Sequence, residues 1–164
     1  MLHVLGSELT SVSATTSTLY PTITLTQDDG TPTDDTVPSN APDHIALHGT
    51  LANGALLSVS FRGGYKSTPG RHQLVWVIDG DSGSIRVEGA EPGGSFVQIR
   101  PPKLYLDGEE IVVDVSNYLP RLLATQFAEF AKGEDGNYAT LDDAVKRRGL
   151  LDAIARSAQN RVDL

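Results

Sequence analysis

Cysteine is absent from this 164-residue chain. Its absence excludes disulfide bridges, thiolate metal sites, iron–sulfur clusters and a cysteine nucleophile. Basic side chains are also scarce, with 13 Lys and Arg against 21 Asp and Glu, and the formal net charge is −8. Because phosphate backbones attract positively charged surfaces, an acidic chain is a poor candidate for nucleic-acid binding. We expect no nucleic acid among its partners.

Long apolar runs are missing as well. No run reaches the roughly 20 residues that a membrane-spanning helix needs, and no leader with a charged and then an apolar region precedes a cleavage site. We therefore expect a cytoplasmic protein without a membrane partner. Neither G-x-G-x-x-G after a strand nor G-x-x-x-x-G-K-[ST] occurs. The usual phosphate-binding turns are thus absent, and the sequence predicts no dinucleotide and no other cofactor.

The order of residue types predicts the fold class. Residues 1–118 are rich in Thr, Ser, Val, Ile and Gly, whereas residues 119–164 are rich in Ala, Leu, Arg and Asp. Strand formers therefore precede helix formers, which is typical of α+β folds and not of alternating βαβ units. We predict a single domain over residues 1–164 that is built on an open and largely antiparallel sheet. Two helices, 118–132 and 140–159, pack on one face of it.

Each predicted helix carries an apolar stripe at helical spacing. In the second helix Thr140 and Asp143 also form an N-terminal capping pattern. The buried stripe of the first helix is predicted to consist of Leu119, Leu122, Leu123, Phe127 and Phe130. That of the second is predicted to consist of Leu141, Ala144, Val145, Leu151, Ile154, Ala155 and Ala158.

Residues 44–62 predict a β-hairpin, because Asn53-Gly54 lies between two strand-like runs. A two-residue turn at these positions pairs Thr50 with Leu57. This register puts Leu47, Leu51 and Leu56 on one face and Leu57, Val59 and Phe61 on the other. Since the helices can cover only one face, we expect a homodimer through the open face of the sheet.

Residues 27–43 predict a long acidic loop, because they hold three prolines and several aspartates. The aspartates (Asp28, Asp29, Asp34 and Asp35) do not match the calcium-loop spacing D-x-[DN]-x-[DN]-G. His44 and His48, four residues apart on a strand, would be separated by about 13 Å, too far to share one metal ion. We predict no metal site.

Two sets of side chains are candidates for a functional site. Imidazole and carboxyl groups can act as general acids and bases near neutral pH, and the candidates of this kind are Asp43, His44, His48 and His72. An arginine at a strand end can hold an anionic or hydroxylated ligand, and neighbouring glycines permit close backbone approach. The ligand-binding candidates are Arg62, Gly63, Gly64 and Trp76. The structural alternatives are hydrogen-bonded histidines and a turn with a solvated arginine.

Three segments together resemble a known family. They are DHIALHGTLANGALLSVSFRGG (43–64), LVWVIDGDSGSIRV (74–87) and TLDDAVKRRGLLDAIARSA (140–158). Their order is similar to that in the C-terminal domain of the Gfo/Idh/MocA oxidoreductases, and closest to the fungal Gal80-like branch. The resemblance implies a domain that lines a substrate pocket and forms subunit contacts. It also implies that residues 1–8 are the remnant of the helix that joins this domain to a Rossmann domain.

The same resemblance carries over no catalytic residue. In that family the nucleotide fingerprint, the catalytic lysine and the His/Asp of the joining helix all precede the matched region. We therefore expect a stand-alone or truncated substrate-binding and oligomerisation domain without NAD(P)-dependent redox activity of its own. Two alternatives stay open: a cofactor-independent isomerase, cyclase or dehydratase, for example in fungal biosynthesis, and a Gal80-like regulatory binding module.

Overall fold

The computed structural model describes residues 2–64, 68, 70–90, 93–97 and 100–160. The helices are α1 (Leu2–Leu5), α2 (Tyr118–Ala131) and α3 (Leu141–Gln159). The strands are β1 (Leu9–Ser17), β2 (Thr22–Thr26), β3 (Pro32–Pro38), β4 (His44–Leu51), β5 (Leu56–Arg62), β6 (Leu74–Gly80), β7 (Gly83–Gly89), β8 (Lys103–Leu106) and β9 (Glu109–Ile111). Two compact units result, Met1–Tyr65 with Thr140–Leu164, and Lys66–Ala139.

Every strand pair is antiparallel, and strands precede the two long helices, so the predicted α+β class is confirmed. The strands form three hydrogen-bonded sheets and not the single sheet that the sequence predicts. Their orders are β1-β4-β5, β2-β3 and β6-β7-β8-β9. Both sheets with three or more strands are open, with edge strands at each side.

The β4–β5 hairpin exists, but its predicted register is wrong by one residue. Thr50 pairs with Leu56, not with Leu57. Leu51 N donates to Ala55 O, and Gly54 N donates to Leu51 O. The loop therefore has three residues, with Gly54 in the left-handed region at a φ of 88°. A type I turn followed by a left-handed glycine is a common three-residue hairpin loop, and Asn-Gly suits it as well as a two-residue turn.

The corrected register gives the β1-β4-β5 sheet one polar and one apolar face. Direct cross-strand partners share a face, and successive residues alternate between faces. The polar face carries Ser11, Ser13, Thr15, Ser17, His44, Ala46, His48, Thr50, Leu56, Ser58, Ser60 and Arg62. The apolar face carries Val12, Ala14, Thr16, Ile45, Leu47, Gly49, Leu51, Leu57, Val59 and Phe61. The hairpin is therefore not apolar on both sides, and its two faces supply no argument for a dimer.

Helix α3 packs against β1. It begins with the predicted capping box, in which Thr140 and Asp143 hydrogen-bond each other's backbone N–H. Ser157 Oγ accepts from Ala14 N at 2.9 Å, which satisfies a backbone donor of the edge strand. Arg147 makes a bidentate ion pair with Glu8, in which both N–O distances are 2.7 Å.

The predicted buried stripes of the two helices are corrected in part. In α3, Leu150 and Ile154 are half-buried, whereas Leu141, Val145 and Leu151 are exposed. The half-buried positions of α3 include 147, 150, 154, 157 and 158, so Ile154 and Ala158 of the predicted stripe are among them. In α2, Leu122 is half-buried. Four others of its stripe are exposed: Leu119, Leu123, Phe127 and Phe130.

The segment 27–43 is not one long loop. Its middle part is β3, which pairs with β2 as a second hairpin. The turn is closed by Gln27 N donating to Thr31 O, and Asp29 Oδ1 accepts from Thr31 N at 2.8 Å. This local hydrogen bond is the ordinary role of an aspartate in a turn. The residue types of this segment do not predict a strand, because proline and aspartate are rare in strands.

The four-stranded sheet of the other unit also has unlike faces. Apart from Glu109, one face is apolar and carries Leu74, Trp76, Ile78, Ile85, Val87, Leu104, Leu106 and Ile111. The opposite face carries Val75 and Val77 beside the Arg86–Glu88 and Lys103–Glu110 ion pairs. It also has a cation–π contact, in which Arg86 Cζ lies 4.3 Å from the Tyr105 ring centroid. Strands β6 and β7 form a hairpin with a tight turn at 81–82. None of the described helices is both long and apolar enough to cross a membrane.

Candidate ligand-binding site

Asp43 is fixed at the start of β4 by several hydrogen bonds. Its Oδ1 accepts from Leu19 N at 2.9 Å, and its Oδ2 accepts from Tyr20 N at 2.7 Å. Its own backbone pairs with Ser17 O on one side and Gly63 N on the other. The backbone of Asp43 therefore joins the ends of β1 and β5 to the start of β4, and its carboxylate holds the segment after β1. The side chain is only 13% exposed.

Asp43 also contacts the imidazole of its neighbour, with 2.7 Å between Oδ1 and His44 Nδ1. Partial burial acts to raise the pKa of the Asp43 carboxyl, but the hydrogen bonds from Leu19 N, His44 and Tyr20 N outweigh it and lower the pKa to about 2. The group is therefore ionised at neutral pH and can only accept. It follows that His44 Nδ1 carries a proton, which makes Nε2 the basic nitrogen of the neutral ring.

The register places His44 between two polar side chains of the polar face. Its direct partners are Ser17 on β1 and Arg62 on β5. Side chains paired in this way have Cβ atoms roughly 4.5–5.5 Å apart. A hydroxyl, an imidazole and a guanidinium thus stand in one row across the sheet, and Asp43 supports the middle one.

Tyr20 belongs to this site, and the sequence alone did not identify it. Its ring centroid lies 6.2 Å from that of His44, with the planes tilted by 33°. The ring also lies against Gly64, whose φ is 71°, and a Cβ there would collide with the Tyr20 ring carbons. Gly64 thus leaves room for the Tyr20 ring, and Gly63 N donates a hydrogen bond to Asp43 O. The sequence signal available was Pro21, which interrupts the strand-forming residues that follow β1 but does not show what lies beside Tyr20.

His48 lies on the same face, two repeats along β4 from His44, with Ala46 between them. Its cross-strand partners are Ser13 and Ser58. Together with Ser11, Thr50 and Leu56 these residues line a shallow groove of about 370 Å³. The structure therefore brings Asp43, His44, His48, Arg62, Gly63 and Gly64 onto or beside one sheet.

The two other candidates belong to the second unit. His72 Nδ1 lies 3.6 Å from Glu88 Oε2, beyond hydrogen-bonding distance. Trp76 pairs with Val87 in the middle of the apolar face of the four-stranded sheet and is half-buried there. This position accounts for Trp76 as a packing residue.

Comparison with known proteins places the chain in a family. Residues 1–89 match the family model described as Gal80p, C-terminal domain. The chain belongs to this family. The dehydrogenase aclE of Aspergillus oryzae is 30% identical over 165 residues, which cover 98% of this chain and 43% of that protein. The galactose/lactose metabolism regulatory protein GAL80 of Kluyveromyces lactis is 33% identical over 107 residues, 65% of this chain and 23% of that protein.

Solved structures agree with the family. A super-repressor mutant of Gal80p from Saccharomyces cerevisiae superposes with a TM-score of 0.76 at 23% identity, over 96% of this chain and 44% of that one. The aldose-aldose oxidoreductase of Caulobacter crescentus, solved with glycerol, gives 0.60 at 16% identity, over 99% and 43%. These likenesses show the fold. The chain spans less than half the length of the relatives it matches. The resemblance to the Gal80-like branch of the Gfo/Idh/MocA oxidoreductases is thus confirmed.

Proposed function

We propose that this chain is a substrate-binding and oligomerisation domain of the Gfo/Idh/MocA type, and that its ligand is a small polyhydroxylated molecule of the sugar or sugar-acid class. The observation that carries the proposal is the row of Ser17, His44 and Arg62 on the polar face, with His44 held by Asp43. Redox activity with NAD(P) is not part of the function proposed for the chain by itself.

The chemistry of the polar face fits such a ligand. Serine and threonine hydroxyls both donate and accept hydrogen bonds, as sugar hydroxyls do. A guanidinium adds a strong, charge-assisted donor for a carboxylate or hydroxyl. The names of two relatives point the same way, since one regulates galactose and lactose metabolism and another is an aldose-aldose oxidoreductase.

Titration of the 164-residue chain with D-galactose and D-galacturonate, followed by NMR of the imidazole signals, tests the proposal. We expect both sugars to shift the His44 signals and galacturonate to bind more tightly. Arg62→Gln should weaken galacturonate binding by about tenfold or more, since hydrogen bonds to charged groups contribute roughly 1.5–3 kcal/mol. Arg148→Gln, which removes an exposed helix arginine paired with Asp152, is the matched control.

Unchanged spectra with both sugars would contradict the proposal. NAD(H), added in the same titration, is expected to leave the spectra unchanged. A cytoplasmic location is part of the proposed function and is supported by the cysteine-free composition, which suits a reducing compartment.

We further propose that the chain forms a homodimer. Support comes from the apolar face of the four-stranded sheet, where Ile85, Leu106 and Ile111 are 38%, 47% and 41% exposed. Contiguous exposed apolar surface is rare on soluble monomers, and a twofold axis lets one self-complementary patch serve both copies. Light scattering on the chain at tens of micromolar tests the assembly state, and a monomer there would contradict the proposal.

A further inference from the structure

The pairing of Asp43 with His44 has a consequence beyond binding. Of His44, His48 and His72, the three histidines whose side chains the structure describes, His44 is the one with a ring nitrogen within hydrogen-bonding distance of a carboxylate, at 2.7 Å. The corresponding distance for His72 is 3.6 Å. A carboxylate on Nδ1 holds an imidazole in one tautomer and orientation, and stabilises the imidazolium that forms when Nε2 takes a proton.

We propose that His44, oriented by Asp43, transfers a proton to and from a ligand bound on the polar face, and that this ligand is an α-hydroxy carbonyl compound of the sugar class. The inference rests on the proposed function. It assigns His44 as the catalytic residue and Asp43 as the positioning residue that acts through it.

The neighbours of His44 supply what such a step needs. Removing a proton next to a carbonyl leaves negative charge on the carbonyl oxygen, and a nearby cation stabilises that charge. Arg62, the direct cross-strand partner of His44, puts a guanidinium on the same face. Ser17, on the other side, adds a hydroxyl for the second oxygen of the ligand.

The step balances without a cofactor. His44 Nε2 takes the proton from the carbon that bears the hydroxyl, and the C–H electron pair becomes the carbon–carbon double bond of an enediolate. The carbonyl π pair moves onto its oxygen. The proton of the other hydroxyl then moves to the negatively charged former carbonyl oxygen. The oxygen that loses this proton forms the new carbonyl, and the electron pair of the carbon–carbon double bond takes the proton from the imidazolium at the former carbonyl carbon. The product is the isomeric hydroxy carbonyl compound, and the imidazole is neutral again. Nothing is oxidised or reduced overall, so neither an oxidant nor a reductant is required.

Deuterium exchange tests this activity directly. The chain is incubated with D-glyceraldehyde or D-galactose in D₂O, and NMR follows loss of the proton on the carbon beside the carbonyl. We expect exchange at least tenfold faster than in protein-free buffer. His44→Gln should lower the protein-dependent rate by about 10²-fold or more, since general acid–base catalysis contributes roughly 10²–10⁴-fold. Asp29→Asn, at a turn aspartate that also accepts a backbone N–H, is the matched control and should exchange at the unaltered rate.

Asp43→Asn should also slow exchange. The tautomer of His44 should change in this variant as well, which it would not do if Asp43 had only a structural role. The ¹⁵N imidazole signals of His44 should report the Nδ1–H form in the unaltered chain and a mixture of tautomers in the variant. If Asp43→Asn fails to fold by circular dichroism, His44→Gln alone decides the assignment.

The outcomes separate the two proposals. Sugar-induced shifts with exchange at the buffer rate would overturn proton transfer and leave ligand binding standing. Neither shifts nor exchange would overturn both. Exchange that persists in His44→Gln would show that another group moves the proton, and would overturn the assignment to His44.

Discussion

At the scale of single residues, Asp43 makes stability depend on pH. Its pKa is about 2 in the folded chain, below the ordinary 3.8. The unfolded chain therefore binds the proton first as pH falls. The stability that this carboxylate contributes is fully present above pH 4 and is lost as pH falls through about 2. We expect urea midpoints of the unaltered chain to fall more steeply between pH 4 and 2 than those of Asp43→Asn. Asp81→Asn, at the exposed β6–β7 turn, should keep the unaltered slope, and equal slopes for all three chains would contradict the assignment.

Single residues also show why the site was only partly predictable. Asp43, His44 and Arg62 could be chosen from residue type and position near strand ends. Tyr20 could not, because its contact with Gly64 joins segments 44 residues apart. The same holds for the N–H donors of Leu19 and Tyr20, which set the charge state of Asp43. Hydrogen bonds from backbone groups leave no mark on residue identity.

At the scale of elements, alanine substitution of a glycine should have opposite effects on stability in helix α3 and in strand β4. Gly149 lies within α3, and a Cβ there would meet no atom within 4 Å. Gly149→Ala should raise the free energy of unfolding by up to about 1 kcal/mol, because glycine weakens helix interiors.

Gly49 lies in the central strand β4, where a Cβ would collide with Ser11 O and approach Leu9 Cδ2 at 2.7 Å. Gly49→Ala should lower the free energy of unfolding by about 1–3 kcal/mol. Urea unfolding measures the stability of both variants. A less stable Gly149→Ala or a more stable Gly49→Ala would contradict this packing.

Elements were predicted far better than their pairing. Both long helices, the capping box and the β4–β5 hairpin follow from periodicity and turn chemistry. The register of β4 and β5 did not, because Asn53-Gly54 fits a loop of two or of three residues. A further signal was available: Ile45 and Leu47 alternate in step with Val59 and Phe61 only in the observed register. A one-residue slip moves a whole side-chain set to the other face, and here it decided whether a polar face existed.

At the scale of the whole molecule, the proposed homodimer is tested by changing one face while sparing the other. Ile85 lies on the apolar face of the four-stranded sheet, between its cross-strand partners Ile78 and Leu106, and is 38% exposed. A lysine there would bring an unpaired charge into an apolar interface of about 800 Å² per partner, so Ile85→Lys should be monomeric by light scattering. Val75 is 54% exposed on the opposite face and pairs with Glu88, which can accept a new lysine as an ion partner. Val75→Lys should therefore remain dimeric. Dissociation by both variants, or by Val75→Lys alone, would place the contact elsewhere, because an interface confined to the apolar face responds only to the substitution at Ile85.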